Sequence, residues 1–242
     1  MGLPGPTAGT AVKVSVLAPF TPGCPHREDA WAYVLGRYTA EHPDWEIVVG
    51  RSPGSLYSRT AAILDAASRA SGDVLVVADA DVWCDPAEAA TKALGSGWAI
   101  PHRLIHRLSP ESTEQVYAGA DWRTLPLSQD NAQDRRPYVG NEAGTLLVLT
   151  RSAFEAAPPD PRFAGWGQED EAWALALRTL IGKAWRGTAD LVHFWHPPQE
   201  RLDRIRGNQE NQALLRRYRQ AASRPSRMRP LVAEAAQAVL AG

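Results

Sequence analysis

Cysteine, lysine and long apolar runs are what this 242-residue chain has least of. Only Cys24 and Cys84 are present, with neither a CxxC pair nor a zinc-ligand spacing. That excludes a disulfide framework or a cysteine zinc module and fits two reduced thiols. No apolar stretch approaches the roughly 18 residues of a membrane span. The first ten residues are Gly/Pro-rich and carry no charged side chain or signal-peptide core, and Pro6 breaks the myristoylation pattern. A cytoplasmic location is the expectation. There is no charge excess either: 26 basic against 27 acidic residues leave a net −1, so nothing draws the whole chain to nucleic acid or an anionic membrane. Only Lys13, Lys92 and Lys183 among the basic residues are lysine. A GC-rich coding genome explains that skew as well as a need for guanidinium chemistry does.

What is present is the make-up of one globular domain. Hydrophobic residues at 44% and charged residues at 22% exclude a disordered or coiled-coil chain. A chain of this length buries about 70–75% of its unfolded surface. The abundance of glycine and proline, 19 of each, predicts many loops. Residues 12–19 form a β-branched run that stops at Pro19, and 27–41 show helical spacing through Ala30, Trp31, Val34, Leu35 and Tyr38. A strand over 45–49, a helix over 55–70 and a fully apolar strand over 73–78 follow, and Asp85-Pro86 opens another helix. This alternation predicts an α/β domain whose central sheet is mainly parallel, with helices on both faces. Residues 102–137 are polar and without a sustained period, which reads as a long surface excursion. A strand over 144–150, an amphipathic helix over 168–181 and a strand over 189–195 come next. Between Arg201 and Arg229 nine arginines face only Asp203 and Glu210, as on a solvated helix, and 232–240 reads as a short helix.

Three constellations can carry chemistry. Asp79-Ala80-Asp81 follows the apolar strand directly, and ligands of open α/β sheets bind beyond the carboxyl ends of strands. Two carboxylates there can serve a divalent cation and a ribose hydroxyl, although a turn or cap also accounts for such a triplet. Gly165-Trp-Gly-Gln-Glu-Asp-Glu171 opens the late helix on three acids. Matching the helix dipole explains the acids, but not Trp166 between two glycines, which suits covering a sugar face beside a proton-accepting carboxylate. His193 and His196 end the last strand and can converge on one cation, and imidazole beside carboxylate suits Mn²⁺ better than Mg²⁺. Arg27, Arg59 and the late arginines are candidates for phosphate oxygens.

In this order the pieces resemble the GT-A class of nucleotide-sugar glycosyltransferases, and most nearly the β-galactosyltransferase and polypeptide N-acetylgalactosaminyltransferase group. The resemblance runs from about Val12 to Ile205. It covers the first strand ending Pro19-Phe20 and followed by Arg27, the segment Ser58-Arg59-Thr60, the Asp79-x-Asp81 motif, the Gly165-to-Asp170 element and the His193/His196 pair. The tryptophan–glycine–x–glutamate–aspartate element is its most specific part and the aspartate pair its least. It implies Asp81, with Asp79, His193 and His196, as ligands of Mn²⁺ (or Mg²⁺). It implies Arg27, Arg59, Asp79 and Trp166 as donor-binding residues, and Asp170 as general base with Glu169 holding acceptor or donor sugar. The implied reaction moves a sugar from a UDP-linked donor to a hydroxyl with inversion. The acceptor can be a saccharide, a protein or a small molecule, with nucleic acid the least favoured. Three departures bear on nucleotide and sugar identity: Gly50 where many relatives carry a base-contacting Asp, Thr60 for Asn, and Gln168 for Gly. The expected organisation is a flexible terminus at 1–11, a domain at 12–205 split near 101 into nucleotide-binding and acceptor/metal halves, and a helical extension at 206–242. Two alternatives compete: a nucleotidyltransferase of similar fold, and a catalytically silent carbohydrate- or partner-binding domain.

Overall fold

The computed structural model describes residues 12–53, 57–132, 134–165, 167–197 and 204–240. The terminus at 1–11 lies outside the described residues. In the first half β1 (Val14–Pro19), α1 (Pro25–Glu41), β2 (Glu46–Gly50), α2 (Arg59–Arg69) and β3 (Val74–Ala78) alternate as the sequence predicts. Then come β4 (Val82–Trp83), α3 (Ala87–Ser96), β5 (Trp98–Arg107), α4 (Pro110–Tyr117), β6 (Leu146–Thr150), α5 (Arg151–Ala156), α6 (Glu169–Leu180), β7 (Trp185–His193), α7 (Arg204–Ala221) and α8 (Pro225–Leu240). No helix among the described residues is long and apolar enough to cross a membrane.

The strands form one sheet in the order β2-β1-β3-β6-β5-β7-β4. It is mixed rather than mainly parallel. β1 pairs with β2 and β3, and β5 with β7, in parallel, while β6 runs antiparallel to both β3 and β5, and β4 antiparallel to β7. The parallel pairs of the first half follow from the crossover helices α1 and α2. β6 is reached through irregular chain and needs no crossover to lie antiparallel.

Alternate residues of each strand feed two cores, one on each face. Leu17, Leu75 and Val77 pack with Ile63 of α2, Trp173 and Leu177 of α6, and Tyr218 and Met228 of α7 and α8. Val16, Val74 and Val76 pack with Val34 and Tyr38 of α1, Ala89 of α3 and Val116 of α4. Cover on both sides explains why β3 is apolar at every position and wholly buried. The two helices after residue 204 share the first of these cores.

The polar stretch 102–137 is more ordered than its composition predicts. It contains most of β5, and α4 begins on the Ser109 side chain, which accepts from Ser112 N–H. Pro101 and two register irregularities, between Ile100 and His102 and between His102 and Leu104, break the alternation that would have marked β5.

Packing requires glycine at position 50. A Cβ there would run into the Ala62 carbonyl oxygen and stand 2.9 Å from Ala66 Cβ, so β2 and α2 meet only without a side chain. Gly36, on the exposed side of α1, has open space where a Cβ would go. Gly50→Ala should therefore cost about 1–3 kcal/mol of overpacking and lower the melting temperature, read by circular dichroism. Gly36→Ala should raise it, by about 0.5–1 kcal/mol of helix stability. Equal melting temperatures for the two variants would contradict the packing described.

Candidate metal centre and active site

The Asp79–Asp81 link leaves β3 at the middle of the sheet and enters β4 at its far edge. From Ala78 to Val82 the chain reaches at most about 14 Å, whereas four strand spacings in a flat sheet cover about 19 Å. The sheet must curl, and the curl sets Asp81 against the end of β7. Val82 pairs with His193, and Phe194 N–H donates to the Asp81 carbonyl at 2.9 Å. On the other side Asp79 N–H donates to the Thr145 carbonyl at 2.8 Å. Thr145 has φ 64°, a costly conformation for a β-branched residue, at the point where β6 begins.

Asp81 is 4% exposed, with His193 Nε2 3.9 Å from Oδ1 and His196 Nε2 3.4 Å from Oδ2. One ligand atom from each of the three lies within 4.8 Å of the others. Both imidazoles are oriented from behind. His193 Nδ1 is 2.9 Å from the Phe194 carbonyl and His196 Nδ1 3.0 Å from that of Pro197. A carbonyl only accepts, so each Nδ1 donates to it and each Nε2 is the nitrogen that faces Asp81. Burial pushes the His193 imidazole down to about 4, against the pull of Asp81, which keeps it neutral and fit to ligate. Burial also opposes ionisation of Asp81, yet His193, Arg27 and His196 around it hold its carboxyl down to about 2. Two imidazoles and one carboxylate make a donor set that fits Mn²⁺ or another transition metal better than Mg²⁺.

Each aspartate of the pair has its own arginine. Arg27 Nε donates to Asp81 Oδ2 at 3.0 Å, and Arg59 Nε to Asp79 Oδ1 at 2.6 Å. Asp79 thus stands outside the trio of Asp81, His193 and His196, with its carboxylate on Arg59. Burial works against the Arg59 charge, but Asp79, Glu169 and Asp170 outweigh it and keep the guanidinium charged. Arg59 Nη1 reaches the Ala143 carbonyl at 3.3 Å, while Nη2 is buried without a partner among the described residues.

Glu169 and Asp170 open α6 on the far side of Arg59. Their loop is tied to the start of α2, where Gly165 N–H donates to the Tyr57 carbonyl at 3.0 Å and Ser58 Oγ to that of Phe163 at 2.9 Å. Gln168, where the family pattern has Gly, caps α6 with φ 75°, a left-handed conformation that favours glycine. Each Asp170 oxygen accepts one hydrogen bond: Asn141 Nδ2 donates to Oδ2 and Glu171 N–H to Oδ1, both at 2.7 Å. Glu169 differs, because its Oε2 is buried without a partner among the described residues. Burial, with Asp170 beside it, pushes the Glu169 carboxyl up to about 6, against the pull of Arg59.

The structure therefore brings Arg27, Arg59, Asp79, Asp81, His193 and His196 to one end of the sheet, with Glu169 acting on Arg59. Trp166 lies outside the described residues. Tyr57 joins the site without a motif signal: its hydroxyl donates to the Pro19 carbonyl at 2.9 Å, and burial pushes its phenol up to about 12. Asn141 and Thr145 carry no motif signal either.

Fold and site together define an α/β domain with a histidine–carboxylate centre at the carboxyl ends of its strands. No protein-family model matches the chain, and no curated protein matches it in sequence. Among solved structures it is similar to the catalytic domain of Drosophila β1,4-galactosyltransferase 7 in complex with xylobiose, at 17% identity and TM-score 0.46 over 73% of this chain. The chain spans 65% of the length of that structure. It is also similar to mannosyl-3-phosphoglycerate synthase from Rubrobacter xylanophilus, at 13% identity and TM-score 0.49, covering 87% of this chain and 74% of that one. A third is glucosyl-3-phosphoglycerate synthase from Mycobacterium tuberculosis in complex with Mn²⁺, UDP-glucose and phosphoglyceric acid, at 14% identity and TM-score 0.46, covering 86% and 80%. The site described above rests on none of these likenesses.

A glutamate whose folded value is raised above its ordinary 4.5 to about 6 stabilises the fold only when protonated. That contribution is complete below about 4.5 and lost as pH rises through about 6. Glu169→Gln removes the buried charge, so it should be more stable than the parent at pH 7.5, by about 2 kcal/mol. The advantage should vanish near pH 4. Melting curves at both values check this, and a variant less stable than the parent at pH 7.5 would contradict the burial of Glu169.

Proposed function

We propose that the chain is a metal-dependent glycosyltransferase of the GT-A class, cytoplasmic, moving a sugar from a nucleotide-diphosphate donor to an acceptor hydroxyl. The observation that carries this reading is the Asp81–His193–His196 cluster, with both Nε2 atoms turned inward at the end of a buried strand. A divalent cation held there would neutralise charge on a leaving diphosphate. Arg27 and Arg59 would meet the phosphate oxygens, Arg59 through its unpartnered Nη2, and Asp79 and Trp166 would contact the rest of the donor. UDP as the nucleotide, inversion, and the division near residue 101 into donor and acceptor halves come from the family resemblance.

The resemblance gives Asp170 as the base, but the hydrogen bonding supports Glu169. Both Asp170 oxygens already accept hydrogen bonds, whereas Glu169 Oε2 has no partner among the described residues and burial raises its carboxyl to about 6. A base of that kind is matched to taking a proton from a hydroxyl at neutral pH. In this reading Asp170 and Asn141 hold the start of α6.

The test is release of nucleoside diphosphate from UDP-sugars with Mn²⁺ and a panel of hydroxyl acceptors. Turnover should appear with Mn²⁺, vanish with EDTA, and rise as pH passes about 6. Glu169→Gln should lower kcat by about 10²–10⁴-fold, and Asp170→Asn by less. Transfer of a nucleoside monophosphate would instead identify a nucleotidyltransferase. Donor binding without turnover on any acceptor would identify a silent binding domain. Full turnover after exhaustive chelation would remove the metal role.

A further inference from the structure

Helix α7 reaches back to the candidate active site. Its buried stripe runs through Asn211, Leu215 and Tyr218, spaced four and three apart, and Leu215 and Tyr218 join the core shared with α6 and α8. Asn211 is the exception on that stripe: a polar amide, 2% exposed, where helix packing favours an apolar side chain. Its Nδ2 donates to two carbonyls of one loop, that of Ala164 at 3.0 Å and that of Gly167 at 3.1 Å. An amide nitrogen carries two protons, and both are used.

Those carbonyls flank residue 166, on the loop that leads into α6. From the other side α2 holds the same loop, through the Tyr57 carbonyl on Gly165 N–H and through Ser58 Oγ on the Phe163 carbonyl. The loop is therefore pinned between α2 and α7. It ends at Gln168, whose left-handed φ turns the chain into α6 and whose carbonyl accepts from Ala172 N–H at 3.1 Å. A loop free to shift carries the first turn of α6 with it, and Glu169 is the first residue of that turn. The other bonds from α7 lie before and after the loop. Tyr218 donates to Asp160 Oδ2 at 2.8 Å, and Arg219 makes two bonds to Glu171, both at 2.7 Å.

We propose that Asn211 is a positioning residue: by holding the Ala164 and Gly167 carbonyls it fixes the loop before α6 and keeps the Glu169 carboxyl buried beside Arg59. The placement of Glu169 follows from these hydrogen bonds, while its part in proton transfer rests on the transferase reading above.

A double-mutant cycle of melting temperatures at pH 7.5 tests the placement without donor or turnover. Burial, Asp170 on α6 and Asp79 after β3 disfavour the Glu169 charge, and Arg59 on α2 favours it. Glu169→Gln should therefore raise the melting temperature of the parent. In Asn211→Ala water should reach the carboxylate, and the gain from Glu169→Gln should largely vanish. Tyr218→Phe weakens the same helix away from the loop, and there the gain should persist. If Asn211→Ala does not fold, Asn211→Ser, which leaves one donor, should show a partial loss of the gain. In turnover Asn211→Ala should lower kcat by about ten-fold or more with donor KM nearly unchanged. An undiminished gain in the Asn211 variant, no gain in the parent, or an equal loss of gain in Tyr218→Phe would overturn the proposal. A lost gain in Asn211→Ala with no turnover of any donor by the parent would sink the transferase and leave the positioning standing. Turnover by the parent with an undiminished gain in Asn211→Ala would sink the positioning and leave the transferase standing.

Discussion

The link between β3 and β4 is too short to cross a flat sheet, and the rest of the site follows from that. Its amino end is fixed by a strand buried on both faces, and its carboxyl end by the pairing of Val82 with His193. Curling of the sheet brings the far edge over the centre, so residues that are 115 positions apart, Asp81 and His196, face one another. Backbone hydrogen bonds to Thr145 and Phe194 then fix both aspartates at once. The left-handed Thr145 is the local cost of aiming a carbonyl at the Asp79 N–H.

Charge in the site is balanced pairwise, aspartate against arginine, and the polar groups left over mark where ligand is met. Burying Asp79 and Asp81 with no countercharge would be prohibitive, so Arg59 and Arg27 offset them in the folded chain. Arg59 Nη2 and Glu169 Oε2, on adjoining elements, are buried without partners among the described residues. Such orphaned groups are uncommon in a folded protein and are expected where a ligand completes the bonding.

Much of this was legible in the sequence, for reasons that differ by element. β1 and β3 announce themselves as apolar runs because each is covered on both faces, and the aspartate pair stands out because it breaks such a run. β5 was hidden because Pro101 and two register irregularities erase its period, though Ser109-Pro110 was a readable helix start for α4. The antiparallel insertion of β6 was invisible, since pairing direction depends on contacts distant in sequence. Local motif reading found Glu169 and Asp170 together, and the family resemblance ranked Asp170 first as the base. Their difference lies in Asn141, whose amide engages only Asp170, and in the burial of Glu169 beside Arg59. Gln168 looked like a departure from a glycine pattern, and it adopts the left-handed conformation that such a glycine would serve.

The central claim is that Asp81, His193 and His196 form a cation site, and electron-nuclear double resonance on the protein with one equivalent of Mn²⁺ tests it most directly. The account predicts nitrogen couplings from two imidazoles, one lost in His193→Gln and one in His196→Gln. It also predicts loss of stoichiometric binding in Asp81→Ala. Mn²⁺ bound without nitrogen coupling, or bound equally well by Asp81→Ala, would contradict it.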